Sequence, residues 1–310
     1  MAALNTTWVR LLVTAAVLGI LAWRIDMREA ARAMLALDLR YALAVVVLLA
    51  LDRVVMILRW TLLLRASRST VSFASAASIY LVSSFVGGFL PAGIGGDAVR
   101  AYSLGRRTAE HGEAVASVAV DRLLGLLSLL LLGILGVVIW ARLVSPGLQQ
   151  SVLLLAVLIG LGAIGLFWAD RALRVALPDR WQNSRHGARL LGMADALGRY
   201  RHRPQAILAV LLLSVGVQLL RIWQAWLLGV GIGIGVSFSY YLVFMPIGLV
   251  MLLLPVSVSG FGLPQGVIVW LLRPQGVAEP PAFALSTLIV LSGILGNLPG
   301  AWLYLRARGN

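Results

Sequence analysis

Apolar residues run through this chain in blocks too long for the interior of a soluble domain, and the polar positions that interrupt them are few and widely spaced. A helix of about 20 apolar residues crosses the hydrocarbon core of a bilayer. On that criterion the pattern predicts spans at approximately 8–23, 41–64, 113–140, 150–168, 205–229 and 282–305. Residues 1–23 could also be read as a signal peptide, with Arg10 ahead of an apolar run. No clear cleavage site follows, so an uncleaved first span is expected. Two further apolar segments, 71–105 and 237–272, are broken at Pro91 and Pro255 and continue through glycine. Backbone broken at membrane depth must be shielded by protein or line a wet cavity. Each segment is therefore read as a re-entrant hairpin, the alternative being that 71–90 and 237–255 each cross fully.

The arginines orient these elements. Loop 170–204 carries Arg171, Arg174, Arg180, Arg185, Arg189, Arg199, Arg201 and Arg203, and is expected to be a cytoplasmic basic loop. If both broken segments re-enter, both termini, 65–70 and 97–112 share that side. The opposite loops, 141–149, 230–236 and 273–281, then hold only Arg142 and Arg273. Segment 24–40 sits on the opposite side although it carries Arg24, Arg28, Arg32 and Arg40. Its Met27, Ala31, Met34 and Leu35 recur at helical spacing, so it reads as an amphipathic helix lying on the membrane surface. The unit 41–140 would begin by running inward and the unit 205–305 outward, which makes them inverted repeats. Val71-Ser72-Phe73 recurs as Val236-Ser237-Phe238, and Arg59-Trp60 is echoed by Arg221-Ile222-Trp223. The fold class is thus an all-α polytopic membrane protein with about six full spans and two re-entrant broken-helix hairpins. It forms one integral membrane domain over 1–310.

Composition agrees: 60% of residues are hydrophobic, 12% are charged, and mean hydropathy is +0.94. Soluble domains carry roughly twice that charged share. The net charge is +14, and every basic residue is arginine. Much of this charge flanks spans, where topology and anionic lipid headgroups account for it better than nucleic acid does. The absence of cysteine excludes disulfides, thiolate metal sites and a cysteine nucleophile. His111, His186 and His202 fall in predicted loops without ligand spacing, so no metal site and no cofactor are expected.

Ionisable groups at membrane depth cost several kcal/mol and are functional candidates by default. They are Asp52, Arg53 and Arg59 in the second span, Asp121 and Arg122 in the third, and Arg221 in the fifth. Asp52 and Arg59, seven apart, share a helix face. Asp121 and Arg122 are adjacent and cannot face each other, so each needs another partner. Gln218, Arg221 and Gln224 form a polar stripe. Asp52 and Arg53 also read as a buried ion pair, and Arg59 as a side chain snorkelling to the cytoplasmic interface. Gly296 and Gly300, with Ser292 four earlier, fit small-residue helix packing.

The strongest candidate is the broken stretch Pro91 to Arg100, with Gly95, Gly96, Asp97 and Arg100. Glycines let backbone N–H groups approach an anion, and a helix starting near Asp97 would aim its positive end there. Asp97 can cap that helix. A weaker echo, Leu253 to Gly262, offers Ser257, Ser259 and Gly260 but no charge. Paired breaks of this kind point to a transport-like site.

The Pro91–Arg100 stretch resembles the flippase-like family related to the membrane region of lysylphosphatidylglycerol synthases. That family's first motif looks like P-x-x-x-G-G-D-x-x-R, matched by Pro91, Gly95, Gly96, Asp97 and Arg100. A following acidic-Arg pair fits Asp121-Arg122. The second motif looks like L-P-x-S-x-x-G-x-G, with Leu254, Pro255, Ser257, Gly260 and Gly262 in place. The family commonly continues with an Arg-Glu pair, where this chain has Pro264-Gln265. Pro299-Gly300 in the last span also fits. The resemblance covers most of the chain and implies an inner-membrane protein, termini cytoplasmic, that moves lipids or lipid-linked headgroups between leaflets. In the synthases a separate soluble domain makes the aminoacylated lipid; none is expected here, so lipid aminoacylation is not. Arg100 and Arg122 would contact a phosphate, and Asp121 would anchor an arginine or sense a cationic headgroup. Asp52 and Asp121 are the proton carriers within spans, and no nucleotide-binding motif occurs. The expected partners are membrane lipids, with a second copy of the chain and a lipid-modifying enzyme as protein partners; no nucleic acid is expected. No catalytic residue is assigned. The alternatives are a non-catalytic scaffold for lipid-modifying enzymes and a membrane-embedded headgroup transferase using Asp97 or Glu113.

Overall fold

Two aspartates start the helical bundle. Asp26 accepts from the Arg28 and Glu29 amides and opens α1 (Met27–Leu35); Asp38 accepts from the Arg40 amide and opens α2 (Leu39–Ala66). Each satisfies donors that a helix start leaves without a partner. The structure, a computed structural model, describes residues 19, 23–67, 69–89, 94–108, 110–139, 146–182, 184–253 and 262–308. Most of the predicted first span, most of the Pro91 break and the Leu254–Phe261 break lie outside the described residues.

After α2 come α3 (Phe73–Phe89), α4 (Ile94–Thr108) and α5 (His111–Ile139). Then follow α6 (Pro146–Phe167), α7 (Ala169–Ala176), α8 (Asp179–Gln182), α9 (Arg185–Tyr200) and α10 (Pro204–Gly231). The chain closes with α11 (Phe238–Leu253), α12 (Leu263–Leu272), α13 (Glu279–Gly296) and α14 (Leu298–Arg308). Every regular element among the described residues is helical. Four helices there are long and apolar enough to cross a membrane: α2, α5, α10 and the α13–α14 pair. The expected span at 150–168 corresponds to α6, which turns by 70° into α7; counting that bent pair as one span makes five. His111 and His186 lie in helices α5 and α9 rather than in loops.

Two sets of contacts fix the ends of the bundle. At one end the Tyr200 hydroxyl donates to the Leu63 carbonyl at 3.3 Å, and Arg199 pairs with Glu113 at 2.7 Å. There Arg201 grips Asp170 with both guanidinium nitrogens at 2.8 and 2.9 Å. At the other end the Asp38 amide donates to the Gly231 carbonyl at 3.0 Å, and Tyr240 donates to the Leu271 carbonyl at 2.6 Å. α1 lies at that second end against α13, with Ile25 and Ala30 buried while Trp23 and Leu35 stay exposed.

Segment 170–204 is not a loop. It folds into α7, α8 and α9, and α9 packs on α5 through Leu197 and Tyr200, sharing a core with Leu63, Val120 and Val210. The segment is too polar to hold a core alone, so it borrows that of the bundle.

Each broken segment forms a pair of packed helices. α3 lies against α4, and the start of α3, the end of α4 and the start of α5 share one core through Ala76, Leu104 and Ala114. Glycine is required at the narrow part of this pair: a Cβ on Gly87 would stand 2.6 Å from the Gly96 Cα, and one on Gly96 2.8 Å from the Ser83 carbonyl. α11 lies against α12, tied at their outer ends by the Tyr240 hydrogen bond. The packings of 39–139 have counterparts in 204–308. α2 contacts α3 and α5 as α10 contacts α11 and α13; α3–α4 and α4–α5 match α11–α12 and α12–α13. Across the halves α2 meets α10, and α5 against α11 is matched by α14 against α3.

Candidate functional site: a charged cavity between the halves

The intramembrane charges predicted from the sequence converge on one cavity. It has a volume of about 500 Å³ and is lined from both halves: α2, α3, α4 and α5 on one side, α10, α11, α13 and Asn297 after it on the other. Its charged lining is Asp52, Arg53, Arg59, Asp97, Arg100, Asp121, Arg122 and Arg221.

These eight side chains form two linked groups. In the first, Asp121 on α5 accepts from Arg59 Nε of α2 at 2.8 Å and from Arg100 Nη1 of α4 at 3.0 Å. Arg100 reaches on to Asp97 at 3.0 Å, and Asp97 also receives Arg122. The order is therefore Arg59, Asp121, Arg100, Asp97, Arg122. In the second, Asp52 accepts from Arg221 of α10 at 3.0 Å and lies 3.7 Å from Arg53 Nε. Adjacent positions on one helix point apart, which is why Asp121 and Arg122 serve different partners.

Arg59 does not snorkel. It is 4% exposed, held by Asp121 and donating to the Ser214 hydroxyl at 3.1 Å. Its partners stand on α5 and α10 at its own level, so interior pairing replaces escape to the interface. Asp97 does not cap α4 either. That helix is already formed at Ile94, so Asp97 sits in the first turn with its carboxylate turned to the two arginines.

Arg100 is 4% exposed and is also flanked by aromatic rings, its Cζ standing 5.2 Å from the Trp60 ring centre and 5.3 Å from that of Tyr80. Such cation–π contacts favour a desolvated guanidinium. Arg122 is the more accessible, with 39% of its side chain exposed. Arg221 and Arg53 fall between, at 30% and 17%.

Uncharged polar groups complete the wall. Gln218 and Gln224 line it as the stripe on α10 predicted, with Ser83 and Ser84 from α3 and Asn297 between α13 and α14. Asp52 Oδ2, Gln218 Oε1, Gln224 Nε2 and Asn297 Oδ1 are buried without a hydrogen-bond partner among the described residues. Groups of this kind are ordinarily satisfied in native interiors. Gly96 lines the cavity, while Gly95 lies in the first turn of α4 outside that lining. Gly296 makes room for the Arg53 guanidinium, which a Cβ there would meet at 3.0 Å. Gly300 brings α14 onto the α3 backbone at Leu81. Ser257, Ser259 and Gly260 lie outside the described residues.

Sequence reasoning missed Trp60, Tyr80, Ser214 and Asn297. For Asn297 a signal existed, since an amide inside an apolar span is costly unless used. The aromatic pair had none, because Trp and Tyr are common in spans. In the second half Pro264-Gln265 replaces a charged pair: Gln265 is fully buried and its Oε1 accepts the Gly262 amide at 2.7 Å.

The sequence matches the family described as Lysylphosphatidylglycerol synthase TM region over residues 7–299, and the chain belongs to that family. Comparison with curated proteins finds no match.

Proposed function

We propose, with that membership as premise, that the protein is a lipid translocase of the bacterial inner membrane. In this reading the cavity shelters a phosphate-bearing headgroup at mid-membrane while the acyl chains remain in lipid, and both termini face the cytoplasm. The two halves are inverted repeats whose helix pairs re-enter from opposite faces, a reading supported by the matched contacts between them. The observation that carries the proposal is the convergence of five arginines and three aspartates on one cavity. Such charges are expensive in a membrane interior and are kept where something polar passes.

Arg122 and Arg221 are the arginines most open to the cavity, and arginine suits bidentate phosphate recognition. Arg100, held by two carboxylates and two rings, positions Asp97 and Asp121 rather than reaching out. The protein makes and breaks no bond in this reading. Asp97 is engaged by arginine, as is Glu113 by Arg199, which leaves neither as an idle general base for a transferase. Movement is passive or coupled to ions.

The test is scrambling of labelled phosphatidylglycerol and cardiolipin in proteoliposomes, with wild type beside Arg122→Gln and Asp97→Ala/Arg100→Ala. Wild-type movement that falls at least about tenfold in folded Arg122→Gln, the scale of one charge-assisted contact, supports the reading. Equal rates in all folded proteins would refute it.

A further inference from the structure

The charge of the cavity specifies the headgroup more closely. Its lining holds two more arginines than aspartates. The excess is not offset elsewhere at membrane depth: no segment outside the described residues contains an acidic side chain. The excess is also divided. The group Arg59–Asp121–Arg100–Asp97–Arg122 has three cations and two anions, and Arg221–Asp52–Arg53 has two cations and one anion. Each group therefore carries one net positive charge. Asp52 and Arg59 root the two groups on α2 seven residues apart, about 10 Å along the axis.

From this the geometry points to a substrate whose headgroup carries two phosphoryl groups, one for each charge group. This inference rests on the translocase reading and adds the substrate class to it. A single phosphodiester neutralises only one group and leaves the positive charge of the other without a counter-charge. Two phosphoryls neutralise both. On the uncharged polar wall Gln224, one turn beyond Arg221 on α10, holds an amide nitrogen without a partner among the described residues and can donate to the phosphoryl at the second group. Arg122 holds the phosphoryl at the first group and Arg221 the one at the second.

The experiment is a lipid titration of the purified full chain in nonionic detergent, read by native mass spectrometry. The probes are cardiolipin and farnesyl diphosphate with two phosphoryls, phosphatidylglycerol and phosphatidate with one, and inorganic diphosphate without a tail. Both two-phosphoryl lipids are expected to bind at least about tenfold more tightly than phosphatidylglycerol, since one further charge-assisted contact is worth that much. Arg221→Gln should remove this advantage while phosphatidylglycerol still binds. Asp52→Asn/Arg221→Gln, which restores the net charge of the second group through Arg53, should recover part of it; this double variant separates charge from damage to the fold. Equal binding of phosphatidylglycerol and the two-phosphoryl lipids, all weakened by Arg122→Gln, would overturn the two-phosphoryl assignment and leave the translocase reading standing. Phosphatidate binding as tightly as cardiolipin would also overturn it. Inorganic diphosphate matching the lipids would assign the cavity to a soluble anion. Lipid binding indifferent to Arg122→Gln and Arg221→Gln alike would refute the cavity as a lipid site, and the translocase reading with it.

Discussion

The helix pairs α3–α4 and α11–α12 occupy corresponding places in the contact plan and are built from opposite chemistry. The first carries Asp97 and Arg100 into a linked group of three arginines and two aspartates. The second buries Tyr240, Tyr241, Phe244, Met245 and Leu272, and among its described residues the most buried polar side chain, Gln265, serves its own backbone. Among the described residues the second half reaches the charged groups through Arg221 and Ser214 of α10 rather than through its helix pair. Matched packing therefore does not require matched chemistry. Helix contacts depend on shape and small residues, whereas a buried charge survives only where counter-charges stand within reach. In α3–α4 those partners come from α2 and α5.

The largest test of this contrast is Asp121→Asn. It leaves Arg59 and Arg100 buried with their shared carboxylate gone, and a broken buried network costs about 3–5 kcal/mol. Thermal unfolding in detergent should show this as the steepest loss among single substitutions in the cavity wall. Next is Gly87→Val, which drives a side chain into the Gly96 backbone; overpacking of this kind costs about 1–3 kcal/mol. Its midpoint shift should exceed that of Gly266→Val in α12, where nothing stands within 4 Å of the new Cβ. Gln265→Leu follows. It removes the acceptor of the Gly262 amide, at a cost of about 1–2 kcal/mol. A Gln265→Leu loss as large as that of Asp121→Asn would erase the distinction between the two helix pairs.

The smallest effect lies outside the spans. Burial would raise the Asp170 carboxyl, but the hydrogen bonds from Arg201, the Arg171 amide and the charges of both arginines together outweigh it and hold the group below its ordinary value. A depressed carboxyl contributes stability above its unfolded pKa of about 3.9 and loses it as pH falls through the lower folded value. The pair should contribute under about 1 kcal/mol near neutrality. Melting wild type beside Arg201→Gln should show a small gap at pH 7 that closes below pH 4. A gap that persists there would mean that Arg201 acts through its contact with the Trp168 ring instead.

Much of the site was legible because a charge in an apolar run stands out against its neighbours. Asp52, Arg53, Arg59, Asp121, Arg122 and Arg221 were marked by that contrast, Asp97 and Arg100 by the Pro/Gly break beside them, and all line one cavity. Their pairings were not legible, since periodicity shows which face a residue occupies but not which helix faces it. Arg59 illustrates the limit. Its distance along α2 suggested an exit to the interface, and only the arrival of α5 and α10 at its level made interior pairing available. Segment 170–204 failed for a related reason. Its own apolar residues are too few to predict a core, and the surface that completes one belongs to α2, α5 and α10.

By itself the sequence determined the solvent this protein lives in, the helical period of its long elements, the glycine-dependent breaks and the identity of the charges at membrane depth. These are local properties: a run of side chains either can or cannot satisfy hydrocarbon, and a helix is the backbone's way of satisfying itself there. Tertiary structure decided which helices meet, and so which arginine answers which aspartate and where two positive charges remain over. Electrostatic energy falls with distance between groups that are as many as 169 residues apart in the chain, as Asp52 and Arg221 are, and only folding sets that distance.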